Sequence, residues 1–410
     1  MPVFSIPLSG LNASSTALAT IANNLANLNT VGFKRAQAMF KDLFYQTIGS
    51  SGSGDPIQVG AGTTVSKMNT NFTPGSTDST GVDTDVAIGG DGFFVVEKDG
   101  VMSYTRAGNF SKSPDGTLVT ADGKQVLGFP AVNGVISQTQ GLSPLQLGTG
   151  TVSPPNATTT ANLTLNLDSR LGIGESYSTP LTVYDSLGES HVLQFQFTKT
   201  AANTWGYQIT IPGADVGAAT PQVVHAGSLT FDNAGNLTAP AVDVAGIAIA
   251  GLADGAANIT FNWQLYQGGA GTITQVASPS SPSSTSQDGF GAGSLQSFTI
   301  GSDGLIQGTF SNEKTAILGQ LALANFANPQ GLLRSGGNNF TATLASGAAA
   351  IGAPGTGGRG ALTGGALELS NVDIATEFAS LIQAQRAFQA NARTITTFDE
   401  ITQDTINLKR

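Results

Sequence analysis

Both ends of the 410-residue chain carry apolar residues at strict seven-residue spacing, and nearly everything between them reads as β. Leu11, Leu18 and Leu25 repeat by sevens near the N-terminus, with Ile21 and Leu28 on the neighbouring seam. Ile374, Leu381, Phe388 and Ile395 repeat by sevens near the C-terminus, with Phe378 beside them. A sustained heptad marks helices that pack lengthwise on other helices. A single helix covering a globular core uses a broader apolar stripe. The two ends therefore predict a terminal α-helical coiled coil, and a subunit that other subunits complete. Helices are expected over about 9–28 and 370–408. At about 1.5 Å per residue they span roughly 30 Å and 57 Å. The shorter cannot cover the longer, and isolated narrow-seam helices are marginal in water. Disordered termini are expected in the free monomer.

The middle of the chain has the composition of a turn-rich β protein: 53 Gly, 21 Phe, and only 11% charged residues. A formal charge of −10 argues against nucleic acid. Between residues 131 and 285 the only basic side chains are Arg170 and Lys199, so no basic patch hides there. With no cysteine, disulfide staples, thiol catalysis and cysteine metal sites are excluded. Residues 1–33 carry no charge and lack the basic start of a secretory signal. The most apolar run, Val244 to Ala253, is half of the ~20 residues that span a bilayer. No membrane insertion is expected, and export, if any, would use a route without a cleaved signal peptide.

Turn signals divide the interior. Residues 33–72 read as a linker region containing the run GSSGSG. From 73, compact apolar runs such as FFVVE alternate with DG, NG and GG turns. Residues 151–285 hold six or more short strands with period-two alternation, which predicts a β-sandwich or barrel. A Ser/Pro stretch at 277–289 reads as a linker, after which the first β style resumes. The predicted fold is mostly β and multidomain, with nested discontinuous domains: 1–32 and 366–410 helical, 73–150 and 286–365 an inner β-domain, 151–285 an outer insertion. Gly352 to Gly365 reads as a linker into the last helix, with Ser370 as N-cap, Asp373 completing a capping-box variant, and Lys409 and Arg410 at the C-terminal end of its dipole.

No chemistry-bearing constellation emerges. Asp83, Asp85 and Asp91 could suggest calcium, but the remaining ligands are missing and Gly-Asp-Gly is ordinary turn chemistry. His191 is placed at a strand start and His225 before a turn, and neither has a nucleophile signature nearby. Gly89 to Phe94 is Gly-rich, yet no strand–helix phosphate loop surrounds it. Trp205 and Trp263 fit the core of the insertion better than a carbohydrate platform. No catalytic residue, metal site or cofactor is expected, and the chain is not expected to be an enzyme.

The stretch LATIANNLANLNTVGFKR, Leu18 to Arg35, resembles the N-terminal signature of the bacterial flagellar rod and hook axial protein family. Its motif residues here are Asn29, Thr30, Gly32, Phe33 and Lys34. TDVAIGGDGFFVVE from Thr84, YTRAGNF from Tyr104 with the following DGTLVTADGKQVLGF, and LELSNVDIATEFASLIQAQRAFQANARTITTFDEI near the C-terminus resemble three further family blocks. Rod members are much shorter, so the length and the insertion look like a hook subunit. The resemblance implies a helical homopolymer: a flexible curved tube that joins rod to filament, transmits torque and encloses the export channel. Implied partners are other copies, rod and hook-associated junction proteins, a hook cap during assembly and the flagellar type III export apparatus. A distal rod subunit with an insertion and a secreted β-sandwich adhesin are the alternative readings.

Overall fold

The computed structural model describes residues 5–132, 134–148 and 151–408. The chain divides into two compact units. Met1–Gly148, Ser297–Gly308 and Ala316–Arg410 form the first; Thr149–Gln296 and Thr309–Thr315 form the second.

The first unit contains both long helices, α1 (Ser5–Ala26) and α2 (Ile374–Asn407). Its sheet is centred on strand Phe93–Lys98. That strand turns back through Asp99 and Gly100, both at positive φ, into strand Val101–Thr105. Paired positive φ values give the hairpin turn that matches strand twist. On its other side Phe93–Lys98 pairs with Gln125–Val132 and Leu323–Asn325. The run FFVV is apolar at consecutive positions because both faces of the sheet are covered. Phe94 and Val96 enter a core with Leu118, Val126 and Leu321. Phe93 and Val95 enter another with Tyr104, Phe129 and Phe340. Burial of each such side chain contributes about 1.5–3 kcal/mol.

The second unit is a β-sandwich. One sheet is a meander: Ser176–Tyr184, Ser190–Ala201, Thr204–Ile211, Gln222–Phe231 and Leu237–Ala239. The other surrounds Thr160–Asp168, which runs parallel to Ile259–Gln264 and Ile273–Val276 and antiparallel to Ser281–Gln287. Every second residue of Ser190–Ala201 is buried from His191 to Lys199, as period-two alternation requires. Leu163, Leu165, Leu193, Phe195, Trp205, Ile247 and Trp263 share one core. Both tryptophans are fully buried, and the Trp205 indole donates to Gln275 Oε1 at 2.7 Å.

Several expectations are corrected. The helices and the sheet around Phe93–Lys98 fall in one compact unit, and residues 36–70 form paired strands rather than a linker. Ala36–Asp42 pairs with Thr63–Thr70, and Tyr45–Ser50 with Pro56–Gly60, the GSSGSG run supplying the second turn. These strands are mostly exposed, so they lack the alternation that would betray them. The Ser/Pro stretch is an edge strand, Ser281–Gln287, exposed along nearly its whole length. Proline is tolerated at an edge, and no apolar face is needed there. The Gly352–Gly365 stretch contains strand Ala361–Gly364, paired with Val86–Gly89. The second unit also takes back Thr309–Thr315, where Asn312 donates to the Gly291 carbonyl at 2.9 Å. His225 lies within strand Gln222–Phe231, stacked on Tyr207 at 5.8 Å, not before a turn. α2 is capped by Asp373 rather than Ser370: its carboxylate accepts from Thr376 N at 2.6 Å, which lowers its pKa. Lys409 and Arg410 lie outside the described residues. Among the described residues no helix is long and apolar enough to cross a membrane.

Candidate functional site

α1 and α2 pack as an antiparallel pair. Gly10 sits against Asn391, where a Cβ would come within 2.8 Å of the carboxamide oxygen. Asn24 sits against Glu377, with Nδ2 at 3.3 Å from Oε2. Fourteen residues up one helix (24 − 10) match fourteen down the other (391 − 377), so facing residue numbers sum to 401. By that register Ser5 faces residue 396, and the stretch of α2 from 397 to Asn407 extends beyond the described part of α1. With 22 and 34 residues, the helices are about 33 Å and 51 Å long.

The predicted seam divides on this geometry. Leu11, Leu18, Ile21, Leu25 and Leu28 are half-buried, as are Leu381, Phe388 and Ile395. Ile374 and Phe378 are not covered: they are 48% and 51% exposed, and Ile382 continues their strip at 52%. Ile401, Ile406 and Leu408 at the free end of α2 are exposed as well. Gly10, Ala13, Ser14, Ala17, Ala384 and Ala387 are among the residues lining a groove of about 500 Å³ along the pair.

A buried polar junction fixes the root of the helices. After α1 the chain turns at Thr30, whose hydroxyl donates to Asn27 Oδ1 at 3.1 Å. Asn29 stays exposed. Gly32 adopts φ +65°, and its N–H donates to the Glu368 carbonyl at 2.7 Å. A Cβ at Gly32 would lie 2.6 Å from the Arg106 carbonyl carbon and oxygen, so only glycine fits. Phe33 is buried beneath the Arg334 guanidinium, 5.3 Å from its ring centre. Lys34 is fully buried; its ammonium donates to Glu368 Oε1 at 2.5 Å and to the Thr73 carbonyl at 2.8 Å. Arg106, also buried, donates from Nε to Glu368 Oε2 at 2.9 Å and from Nη1 to the Gly90 and Gly92 carbonyls. Burial lowers the Lys34 pKa, the neighbouring Arg106 charge lowers it further, and Glu368 partly opposes both.

A second layer ties the helices to this root. Asn24 closes a reciprocal pair with Ala36, donating to its carbonyl at 2.8 Å and accepting from its N–H at 3.0 Å. Arg35 Nε lies 3.1 Å from Glu377 Oε1, and Glu377 is buried under α1. Asn371 accepts from Arg35 N at 2.8 Å and donates to the Asn71 and Thr73 carbonyls. Of the motif residues, Gly32, Phe33 and Lys34 thus clasp the N-terminal segment to Glu368 and Asn371 before α2, while Asn29 and Thr30 make no such contact. Sequence reading missed Asn24, Arg106, Glu368, Asn371 and Glu377. Arg106 was legible only as the isolated charge of YTRAGNF, and Glu368 only as one of several charges in the C-terminal block.

Nothing in this junction is arranged for bond-making chemistry: each ionic group is consumed by another. Asp85, considered above for calcium, accepts from the Thr80 hydroxyl at 2.6 Å. In the second unit both ring nitrogens of His191 face carboxylates, Asp215 at 3.1 Å and Asp185 at 3.3 Å.

Comparisons with known proteins cover the chain from end to end. Residues 6–34 match the family described as Flagella basal body rod protein. Residues 87–166 match the Flagellar hook protein FlgE/F/G D1 domain, and 173–290 the Flagellar basal body protein FlaE D2 domain. Residues 363–408 match the Flagellar basal body rod FlgEFG protein C-terminal family. The Flagellar hook protein FlgE of Salmonella typhimurium is 37% identical, over 99% of this chain and 100% of its own. That of Treponema pallidum is 35% identical over 98% of each. The crystal structure of Helicobacter pylori flagellar hook protein FlgE2 aligns with a TM-score of 0.46 at 17% identity, over 71% of this chain and 98% of that one.

Proposed function

Because this chain belongs to the flagellar hook protein FlgE family, we propose that its helix pair is the assembly element of a hook subunit, left incomplete so that further copies finish it. The chain is a structural subunit of the bacterial flagellar hook and assembles with itself. The observation that carries the assembly reading is the overhang. Ile401, Ile406 and Leu408 at the C-terminal end of α2 and the exposed strip Ile374, Phe378 and Ile382 present apolar residues to water. Contiguous apolar surface of this kind marks association sites. The exposed ribbon Tyr45–Gly60 adds Tyr45, Ile48, Ile57 and Val59.

Head-to-tail contacts that do not close give an open tube. In this reading the helices line it around the export channel and resist twist, while the β units form outer layers whose small, weakly charged surfaces slide as the tube bends. Torque then passes from rod to filament through a flexible curved joint. Rod and hook-associated junction proteins at the two ends, a cap during growth, the type III export apparatus and passage without a cleaved signal peptide complete the proposal. The role is structural rather than enzymatic.

Electron microscopy of the purified chain under polymerising conditions tests it. Short curved tubes are expected. A chain truncated after Thr396 should remain dispersed while keeping its β units folded. Normal tubes from the truncated chain would refute the overhang as the assembly element.

A further inference from the structure

His191 is one of only two histidines, lies second in strand Ser190–Ala201, and is 4% exposed. Its Nδ1 faces Asp215 Oδ2 at 3.1 Å and its Nε2 faces Asp185 Oδ2 at 3.3 Å. A neutral imidazole has one N–H and one lone pair. It can donate to one of these carboxylates but must turn a lone pair toward the other. Only the imidazolium satisfies both.

Each carboxylate belongs to a different loop. Asp185 is fully buried and holds its own turn, Oδ1 accepting from Leu187 N at 2.8 Å and Glu189 N at 2.9 Å. Asp215 lies in the 3-10 turn Gly213–Val216, and its carbonyl accepts from Ala253 N at 2.8 Å. The third loop contributes Asp254, which brings a carboxylate oxygen within 4.8 Å of the Asp185 carboxylate. It also donates Ala257 N to Ser186 Oγ at 3.1 Å. The charged groups around the ring are therefore Asp185, Asp215 and, behind Asp185, Asp254, with Glu189 two residues away along the chain. The two basic residues between 131 and 285 are engaged elsewhere, Arg170 with Asp168 and Lys199 with the Ser169 and Leu171 carbonyls. Burial works against a charged ring, but the hydrogen bonds and charges of Asp215 and Asp185 outweigh it and raise the His191 pKa above its ordinary 6.5.

The turn so held is packed at the root of its unit. Gly188, at φ +90°, lies so close to neighbouring chain that a Cβ would meet Pro155 Cβ at 2.8 Å and Ala292 N at 3.0 Å. Tyr184 and Thr158 exchange two hydrogen bonds at 2.8 and 2.9 Å. Residues 155–158 and 291–292 belong to the segments by which the chain enters and leaves the unit.

We propose that His191 is a proton-dependent clamp: its imidazolium ties loops 213–217 and 252–257 to turn 185–189 at the root of the second unit, and loss of the proton in alkaline surroundings releases them. The clamp is built from this unit's own residues. Its meeting an external medium rests on the hook reading, whereas its test needs only the unpolymerised chain. Because the folded pKa is raised, the clamp's stabilisation is complete below the unfolded value near 6.5 and is lost as pH climbs through the folded value.

The test uses the full chain as monomer. His225→Gln leaves one imidazole to follow by NMR, and Trp205 and Trp263, both in this unit, report its urea unfolding. The His191 ring should titrate above 6.5, and Asp215→Asn should lower that midpoint; one pH unit corresponds to about a tenfold weaker hold on the proton. The tryptophan transition should move to lower urea between pH 6 and pH 9, and His191→Gln should remove that dependence. Amide exchange in 213–217 and 252–257, corrected for its intrinsic pH dependence, should rise over the same interval. A midpoint at or below 6.5, or the same pH dependence in His191→Gln, would overturn the clamp. So would unchanged protection of the two loops.

Discussion

Replacing Glu368 by Gln tests the clasp at its centre. The carboxylate receives four hydrogen bonds: from Lys34 at 2.5 Å, Arg106 Nε at 2.9 Å, Arg106 Nη2 at 3.2 Å and Gly75 N at 2.9 Å. Gln keeps the shape but removes the anion paired with two buried cations, Lys34 at 0% and Arg106 at 2% side-chain exposure. Removing one partner from a buried ionic group costs about 3–5 kcal/mol, because the remaining charge is stranded. At about 2–4 °C per kcal/mol, the first unit should melt roughly 6–20 °C lower. Both described helices lie in that unit and both tryptophans in the other. The helical signal at 222 nm should therefore fall early while the tryptophan transition stays in place. The deficit should also shrink with alkali. Lys34 already has a lowered pKa, and losing Glu368 removes the influence that props it up. The unfolded chain then binds more protons than the folded one, so stability recovers as pH rises toward the unfolded lysine value near 10.5. A Glu368→Gln chain within about 1 kcal/mol of the parent at pH 7 would refute the stranded-charge account.

Gly32→Ala should destabilise the same unit by about 1–3 kcal/mol, since alanine must hold φ +65° and meets Arg106 backbone; the 222 nm transition reads it. Leu381→Asp combined with Phe388→Asp should abolish polymerisation, seen by sedimentation, while leaving the tryptophan transition unmoved; normal polymers would sink the seam. Gln275→Leu strands the Trp205 indole N–H and should cost about 1–3 kcal/mol, read by the tryptophan transition alone.

Legibility in the sequence followed burial. The FFVV strand announces itself because it buries consecutive apolar residues on both faces of its sheet, and the paired heptads because their apolar residues recur at fixed spacing and are half-buried along much of the helix pair. So do the strands around Phe195 and Ile209, whose alternate residues are buried. Ser281–Gln287 and the ribbon Tyr45–Gly60 were hidden because they are exposed and bury no periodic face. The parallel pairing of Thr160–Asp168 with Ile273–Val276 was hidden for another reason: a strand's pattern records that it is buried, not which strand lies beside it. The clasp was hidden for that reason too. Lys34 and Arg106 meet Glu368 across 334 and 262 residues, and nothing local in any of the three names its partners.

Those same separations order events during synthesis. A chain emerging N-terminus first holds Lys34 and Arg106 long before it holds Glu368. Closing the first unit in that interval would bury two like charges with no counterion, a cost of several kcal/mol per ion. The carboxylate that lifts the penalty arrives at residue 368 of 410. The strand carrying Leu323 and the segment carrying Phe340 and Leu362 also arrive late. The clasp therefore cannot close with its charges balanced until Glu368 has been made, so the two ends of the chain are joined only late in synthesis.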